Sequence, residues 1–298
     1  MKHAFLMMIH SNYNLVGRLL KKLDHSNNTI YIHVDAKSSF SEDDAKLLVD
    51  SCRYSKVVLV DRHLVNWGGY SQIRCELHML KSAIQQNYDY YHFLSGVDFP
   101  TKSMEYIHKF FEENAGYEFV HFCDDEFAHS RKNRYCFYHF FQEKCGRKNN
   151  FYMVVKRALL LVQKIVKADR TRAYPDVQFK GGSNWASITH NAASFLLSEE
   201  KEIQKMFSHS LCCDEFFLQT ILYNSCFKEK IFCSSDENNV LSNMRSIDWV
   251  RGNHKLGSPY TYTIDDYESL VNSKNLFCRK VSDYTPEENA LIEKLEQL

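Results

Sequence analysis

Tyr90-Tyr91-His92-Phe93-Leu94, running straight into Ser95-Gly96-Val97-Asp98-Phe99-Pro100, reads as a short apolar strand that ends in a turn-forming loop. Upstream, residues 70–86 predict a long helix and residues 56–60 another strand. Residues 29–34 are β-branched and aromatic and end at Asp35, while residues 14–23 put Leu15, Leu19, Leu20 and Leu23 on one helical stripe. Residues 4–9 are an apolar run of strand length. Downstream, residues 103–113 predict a helix and 118–122 a strand. Strand and helix alternate with short connections, which predicts an α/β fold with a mostly parallel central sheet flanked by helices. In such sheets ligands bind beyond the carboxyl ends of the strands, where Asp35 and the 95–100 loop both fall.

The second half is less regular. Residues 124–150 are polar, His-rich and weakly periodic, as an insertion or flexible loop would be. Residues 151–167 predict an amphipathic helix, with Phe151, Val154, Val155, Ala158, Leu159, Val162, Ile165 and Val166 on an apolar stripe flanked by Lys156, Arg157, Lys164 and Lys167. Such a helix can pack on its own domain, the commoner use, or lie peripherally on an anionic membrane beside a lipid-linked acceptor. A strand is expected at 186–189, a helix at 191–207 and a buried helix at 214–224. Strand signals recur near Ile231 and at 260–263, and helices at 264–271 and 286–297. With four prolines and no Ser/Gly-rich linker, residues 1–298 read as a single domain with an insertion at 124–167.

The 37 Lys and Arg balance the 37 Asp and Glu, so no global field would recruit nucleic acid, and electrostatic function must be local. Aromatic residues make up 14% of the chain, a share that serves either a rich core or sugar-stacking surfaces. None of the ten cysteines stands in C-x-x-C spacing, and Cys212 and Cys213 are vicinal, which argues for a reducing compartment. The sequence opens Met1-Lys2-His3 and goes directly into strand, so a cytoplasmic protein is expected, soluble or peripheral at the inner face of a membrane.

No P-loop, dinucleotide glycine fingerprint, nucleophile elbow or H-E-x-x-H arrangement occurs, and no metal site is predicted. Asp-x-Asp is also missing, and the acidic runs Asp124-Asp125-Glu126 and Glu42-Asp43-Asp44 read as solvated charge. Glu215 precedes Phe216, Phe217, Leu218, Ile221 and Leu222, and a carboxylate beside so apolar a segment needs a partner or a task. At a helix N-terminus it would stay ionised and could act as a base, or it could merely cap the helix with Asp214. Trp67-Gly68-Gly69 offers a flat apolar face and backbone that can approach a ligand, or equally a core Trp beside an ordinary turn.

Four constellations, in order, carry a family resemblance: Tyr31-Ile32-His33-Val34-Asp35 with Lys37; Asn66-Trp67-Gly68-Gly69-Tyr70-Ser71; Phe93 to Pro100; and Gly181-Gly182-Ser183-Asn184-Trp185 followed by Cys213-Asp214-Glu215-Phe216-Phe217 and Leu276-Phe277-Cys278-Arg279-Lys280. Over residues 3–282 the chain resembles the core-2/I-branching N-acetylglucosaminyltransferases and peptide O-xylosyltransferases. The resemblance implies a GT-A-like fold and an inverting, metal-independent transferase without cofactor, taking a UDP-sugar donor and a glycan acceptor. It implies that Glu215 is the catalytic base and that Asp35, Trp67, Gly68 and Asn184 bind the nucleotide sugar. Arg279 and Lys280 would neutralise the diphosphate, which requires the 277–280 segment to turn, since neighbours in a strand face opposite ways. Lys37, Asp98, Trp185 and Arg245 are secondary candidates. Asn184 stands where the xylosyltransferases have Asp, a departure that favours N-acetylglucosamine over xylose as the donor sugar. The rival readings are a retaining or metal-dependent transferase using the 124–126 run, and a non-catalytic carbohydrate-binding protein.

Overall fold

A computed structural model describes residues 1–146, 150–233, 241–253 and 257–298. In chain order it contains β1 (His3–Ile9), α1 (Tyr13–Lys22), β2 (Asn28–Val34), α2 (Glu42–Asp50), β3 (Lys56–Leu59), α3 (Tyr70–Ala83), β4 (Tyr90–Ser95), β5 (Asp98–Pro100) and α4 (Met104–Glu113). Next come α5 (Asp125–Ser130), α6 (Asn133–Cys136), α7 (Gln142–Cys145), α8 (Phe151–Ile165), β6 (Ser187–Thr189), α9 (His190–Ser198), α10 (Glu200–Phe207) and α11 (Phe217–Tyr223). The chain closes with β7 (Arg245–Ile247), α12 (Tyr267–Asn272), β8 (Phe277–Arg279) and α13 (Pro286–Glu296).

The expected α/β architecture is present: a five-stranded sheet in the order β3-β2-β1-β4-β6, parallel except for β6. Successive strand residues point to opposite faces, and this alternation divides the core in two. Ala4, Leu6, Tyr31, Tyr91 and Phe93 pack with α3, α9, α10 and α11 on one face. Phe5, Met7, Ile30, Ile32, Tyr90 and Leu94 pack with α1, α4 and α13 on the other. Caps fix the helix starts: Asn12 accepts from Leu15 N, Ser103 from Tyr106 N and Thr189 from Ala192 N. Because Ile9 pairs with Val34 and Met8 with Ser95, the carboxyl ends of β1, β2 and β4 share one edge. The strand order reverses between β1 and β4, and the conserved geometry of such sheets puts ligands at that point.

The expectations fail at several places. Residues 118–122 form only isolated bridges, Glu118 to Ile231 and Phe119 to Ser187, and 260–263 is not a strand. A second sheet, β5-β8-β7, is built from three-residue strands that carry no periodic signal. Glu42-Asp43-Asp44 is the first turn of α2, with Asp44 completing a capping box on Ser41. The helix expected at 191–207 is interrupted at Glu199, between α9 and α10. The 214–224 helix splits into a 3-10 turn at Cys213–Glu215 and α11, so Glu215 does not head an α-helix. The 124–150 segment is folded into α5, α6 and α7 rather than a loose loop, with residues 147–149 outside the described ones. Among the described residues, no helix is long and apolar enough to cross a membrane.

Candidate active site

Glu215 sits on its 3-10 turn with its side chain 35% exposed. Arg134, on α6, donates from Nη1 to Glu215 Oε2 at 2.5 Å, while Oε1 makes no hydrogen bond among the described residues. The carboxyl group is thereby gripped at one oxygen by a charge-assisted hydrogen bond and left open at the other. Its backbone is anchored as well, since Gly182 N donates to Glu215 O at 2.9 Å. A side chain at Gly182 would place Cβ 1.9 Å from the His121 carbonyl oxygen, so only glycine lets the two segments meet. Behind Glu215, Asp214 is buried and accepts from Gln72 Nε2 at 3.0 Å. Burial, reinforced by the charge of Glu215, pushes the Asp214 carboxyl up to about 7. Glu76, on α3, is buried and raised far above the usual carboxylate range by burial and then by Asp214.

The Trp67 turn leans on the same region. Gly68 adopts φ +70°, its N–H donates to Gln72 Oε1 at 2.5 Å, and its carbonyl accepts from Cys212 N at 2.9 Å. Trp67 is 45% exposed, and its carbonyl accepts from Gln142 Nε2 at 2.9 Å. Glu143, also on α7, occupies the amino end of α3: it accepts from Ser71 N at 2.7 Å, Ser71 Oγ at 2.8 Å and Asn66 Nδ2 at 3.2 Å.

On the β4 side, register in the second sheet sets Asp98 opposite Arg279. Arg279 Nη1 lies 3.2 Å from Asp98 Oδ1 and also bonds Ser95 Oγ, and the guanidinium stacks 4.3 Å from the Trp185 ring centroid. Asp98 itself accepts from the Ser95 hydroxyl at 2.7 Å. The 277–280 segment does not stay extended throughout: Arg279 ends β8, the Arg279–Lys280 peptide bond is cis, and Lys280 bridges to the 260–262 segment, its N–H bonding Tyr260 O at 3.3 Å and its carbonyl accepting from Tyr262 N at 2.9 Å. Lys280 Nζ reaches Ser258 Oγ at 3.4 Å. The two cations nevertheless feel each other, since burial first and the charge of Arg279 second lower the Lys280 ammonium. At the end of β2, Asp35 accepts from Lys37 N at 3.0 Å and Val65 N at 3.5 Å, and pairs with Lys37 Nζ at 3.4 Å.

The profile of the family described as "Core-2/I-Branching enzyme" matches residues 3–271. The chain belongs to this family. It is 25% identical to rat xylosyltransferase 2 over 268 residues, covering 87% of this chain and 27% of the relative. It is 27% identical to xylosyltransferase oxt of Drosophila pseudoobscura pseudoobscura over 234 residues, covering 74% of this chain and 24% of the relative. The chain thus spans about a quarter of the length of these curated relatives. Among solved structures it is similar to core-mannan synthase A from Aspergillus fumigatus in its Mn/GDP-form, with a TM-score of 0.40 and 12% identity, covering 76% of this chain and 71% of that one.

Within this core-2/I-branching family member, separate contacts join the segments that carry the candidates: Asp35 with Val65, Gly68 with Cys212, Glu215 with Gly182, Trp185 with Arg279, and Arg279 with Asp98. Asn184 immediately precedes Trp185 and is half-buried. Arg245 does not belong there. It is fully buried and bonds Asn243 O, Ala186 O and Ser187 Oγ, so it braces β6, and burial drops its guanidinium to about 9. The 124–126 run is engaged in structure: Asp124 caps α5 through Phe127 N at 2.7 Å, and Asp125 pairs with Lys180 at 2.5 Å. Lys156 does not lie on the basic flank of α8. It is buried against Gln142 Oε1 and cannot flank a surface stripe, whereas Phe151, Val154, Val162, Ile165 and Val166 are all more than half exposed. Arg134, Gln142 and Glu143 were missed because they lie in the polar 124–150 segment, far in sequence from their partners. The signal that could have found them is its run of aromatics, Tyr135, Phe137, Tyr138, Phe140 and Phe141, which does not suit a solvated loop.

Proposed function

We propose that the chain is a GT-A-like, inverting, metal-independent glycosyltransferase that moves a sugar from a UDP-sugar to a carbohydrate hydroxyl. Glu215 Oε1 takes the proton of the acceptor hydroxyl as its oxygen attacks the anomeric carbon. The bond from that carbon to the diphosphate oxygen breaks, and the diphosphate leaves with the electron pair. Arg279 and Lys280 stabilise the negative charge that develops there. The observation that carries the proposal is the split use of the Glu215 carboxylate, one oxygen tied to Arg134 and the other open. Arg279 supports it, since Asp98 and Ser95 grip Nη1 and leave the other donors of the fork for phosphate. The nucleotide lies against Asp35 and the sugar against Trp67, Gly68 and Asn184. For the donor sugar, Asn184 favours N-acetylglucosamine, while the names of the relatives favour xylose equally. The exposed apolar face of α8 supports an acceptor presented on a lipid at a membrane surface.

The test is Glu215→Gln assayed with a panel of UDP-sugars. Donor binding should persist, and transfer should fall by about 10²–10⁴-fold, the usual share of a general base. Turnover within a few-fold of the parent would place the base elsewhere. The anomeric configuration of the product separately decides inversion.

A further inference from the structure

One buried cluster takes no part in the site above. β2 supplies His33, α3 supplies Cys75 and His78, and the segment between β3 and α3 supplies His63. A ring nitrogen of His33, one of His63 and Cys75 Sγ all lie within 4.8 Å of one another. His33 and Cys75 are fully buried, and His63 and His78 are partly so. The His33 and His63 ring centroids are 4.3 Å apart, and those of His63 and His78 5.2 Å. His33 Nε2 accepts from the His63 backbone N–H at 3.1 Å. By contrast, His33 Nδ1, His63 Nε2 and His78 Nε2 are buried without a hydrogen-bond partner among the described residues. Three orphaned ring nitrogens in one cluster, two of the rings lying beside a thiol, is an unusual grouping, because buried polar atoms are nearly always paired.

We propose that His33, His63 and Cys75 form a zinc site, with His78 beside it as the fourth ligand. Imidazole and thiolate are the donors zinc prefers, and the absence of a carboxylate from the three disfavours magnesium, calcium and manganese. Zinc held at about 2.0–2.3 Å needs its donors within roughly 3.7 Å of each other. Two nitrogens on such a metal stand only about 3.3 Å apart, so the three must close by about 1.5 Å at most, which side-chain torsions can supply. On binding, the Cys75 thiol gives its proton to solvent and its sulfur lone pair to the metal, and the imidazoles bind neutral; for His33 to offer Nδ1, its ring proton moves to Nε2 and the bond from the His63 N–H is given up. The metal staples the carboxyl end of β2 to α3 and to the 61–66 segment. That segment in turn positions Asp35, since His63 O accepts from Ala36 N at 3.1 Å and Val65 N reaches the Asp35 carboxylate. The role is structural, separate from the transfer chemistry and independent of whether that chemistry is as proposed.

The full chain, purified without chelator, should contain zinc; stripped with EDTA, it should rebind a single equivalent, release protons and melt at a higher temperature. The cobalt(II) adduct should show a thiolate-to-cobalt charge-transfer band in the near ultraviolet. Cys75→Ala should abolish that band, and His63→Ala, on a partly exposed segment where folding is at little risk, should abolish stoichiometric binding. Cys226→Ala, at an exposed cysteine, should change neither. A stripped protein that takes up no zinc, or a band that survives Cys75→Ala, overturns the assignment. So does binding by His63→Ala equal to the parent's.

Discussion

Gly182→Ala tests whether the position of Glu215, the proposed base, depends on a close backbone approach. A methyl group there would sit 1.9 Å from His121 O, whereas ordinary contact begins at 3.4 Å, a shortfall of about 1.5 Å. The obstacle is main chain, so no side-chain rotation relieves it. The two segments are also tied together, by Cys123 N to Gly181 O at 2.8 Å and by Gln219 Nε2, which donates to both His121 O and Ser183 O. Relief by moving residue 182 away from His121 drags its hydrogen bond to Glu215 O with it. Overpacking costs typically about 1–3 kcal/mol, and this case belongs at the upper end. At about 2 °C per kcal/mol for a chain of this size, the melting temperature should drop by roughly 6 °C. A base displaced by about 1 Å should lose on the order of 100-fold in kcat. Calorimetry and donor-saturated turnover measure the two effects. Gly181→Ala is the comparison, because its new methyl meets side chains, Phe216 and Phe127 at 2.9 and 3.0 Å, rather than main chain, and should cost less than Gly182→Ala. A Gly182→Ala protein that melts with the parent refutes the packing reasoning. One that melts early yet turns over normally refutes the link to Glu215.

Three further outcomes are expected. The Asp214 carboxyl, raised from 3.8 to about 7, holds its proton more tightly when folded; the stability it confers is complete below pH 3.8 and is lost as pH rises through about 7. Asp214→Asn should therefore lose little stability at pH 4 and gain relative to the parent at pH 8, as urea melts at the two pH values would show; a difference that does not change with pH contradicts this. Transfer should persist in excess EDTA and fall sharply in Arg279→Ala and Lys280→Ala, and Cys75→Ala should remain insensitive to EDTA, which separates a catalytic metal from a structural one; activity restored by manganese would promote a metal-dependent mechanism. Replacing Arg157, Lys164 and Lys167 with Gln should lower transfer to a lipid-linked acceptor in anionic vesicles and spare a short soluble acceptor, with equal losses on both refuting membrane contact; Lys156→Gln, by contrast, should destabilise the fold, because its ammonium is buried against Gln142.

What the sequence disclosed follows the physics of each element. The central strands were legible because burial on both faces makes continuous apolar runs, as in residues 4–9 and 29–34, and the helix at 70–86 because its stripe is long. β5, β7 and β8 were not, because three residues complete no period and their pairing is set by partners far along the chain. Glu215, Arg279 and Trp67 are the candidates that ordered motifs single out. Arg134 and Glu143 escape them, because an ion pair between residues 134 and 215 leaves no local trace. Arg245 illustrates the reverse error: a cation near the end of the chain was read as a ligand group, and only packing shows that its guanidinium satisfies the carbonyls behind β6.

Glu143 has a bearing on how an anion could be received at all. In doubly wound sheets the free N–H groups at a helix start commonly cradle a phosphate. Here a carboxylate from α7 already fills that cradle on α3, and its charge would turn a second anion away. A diphosphate arriving at this edge of the sheet must therefore find its welcome on the opposite flank, from side chains rather than from the helix. Under the proposed function, recognition would rest on Arg279 and Lys280, each of which one substitution can erase, so nucleotide affinity would be easier to change here than in a fold whose phosphate site is written into its main chain.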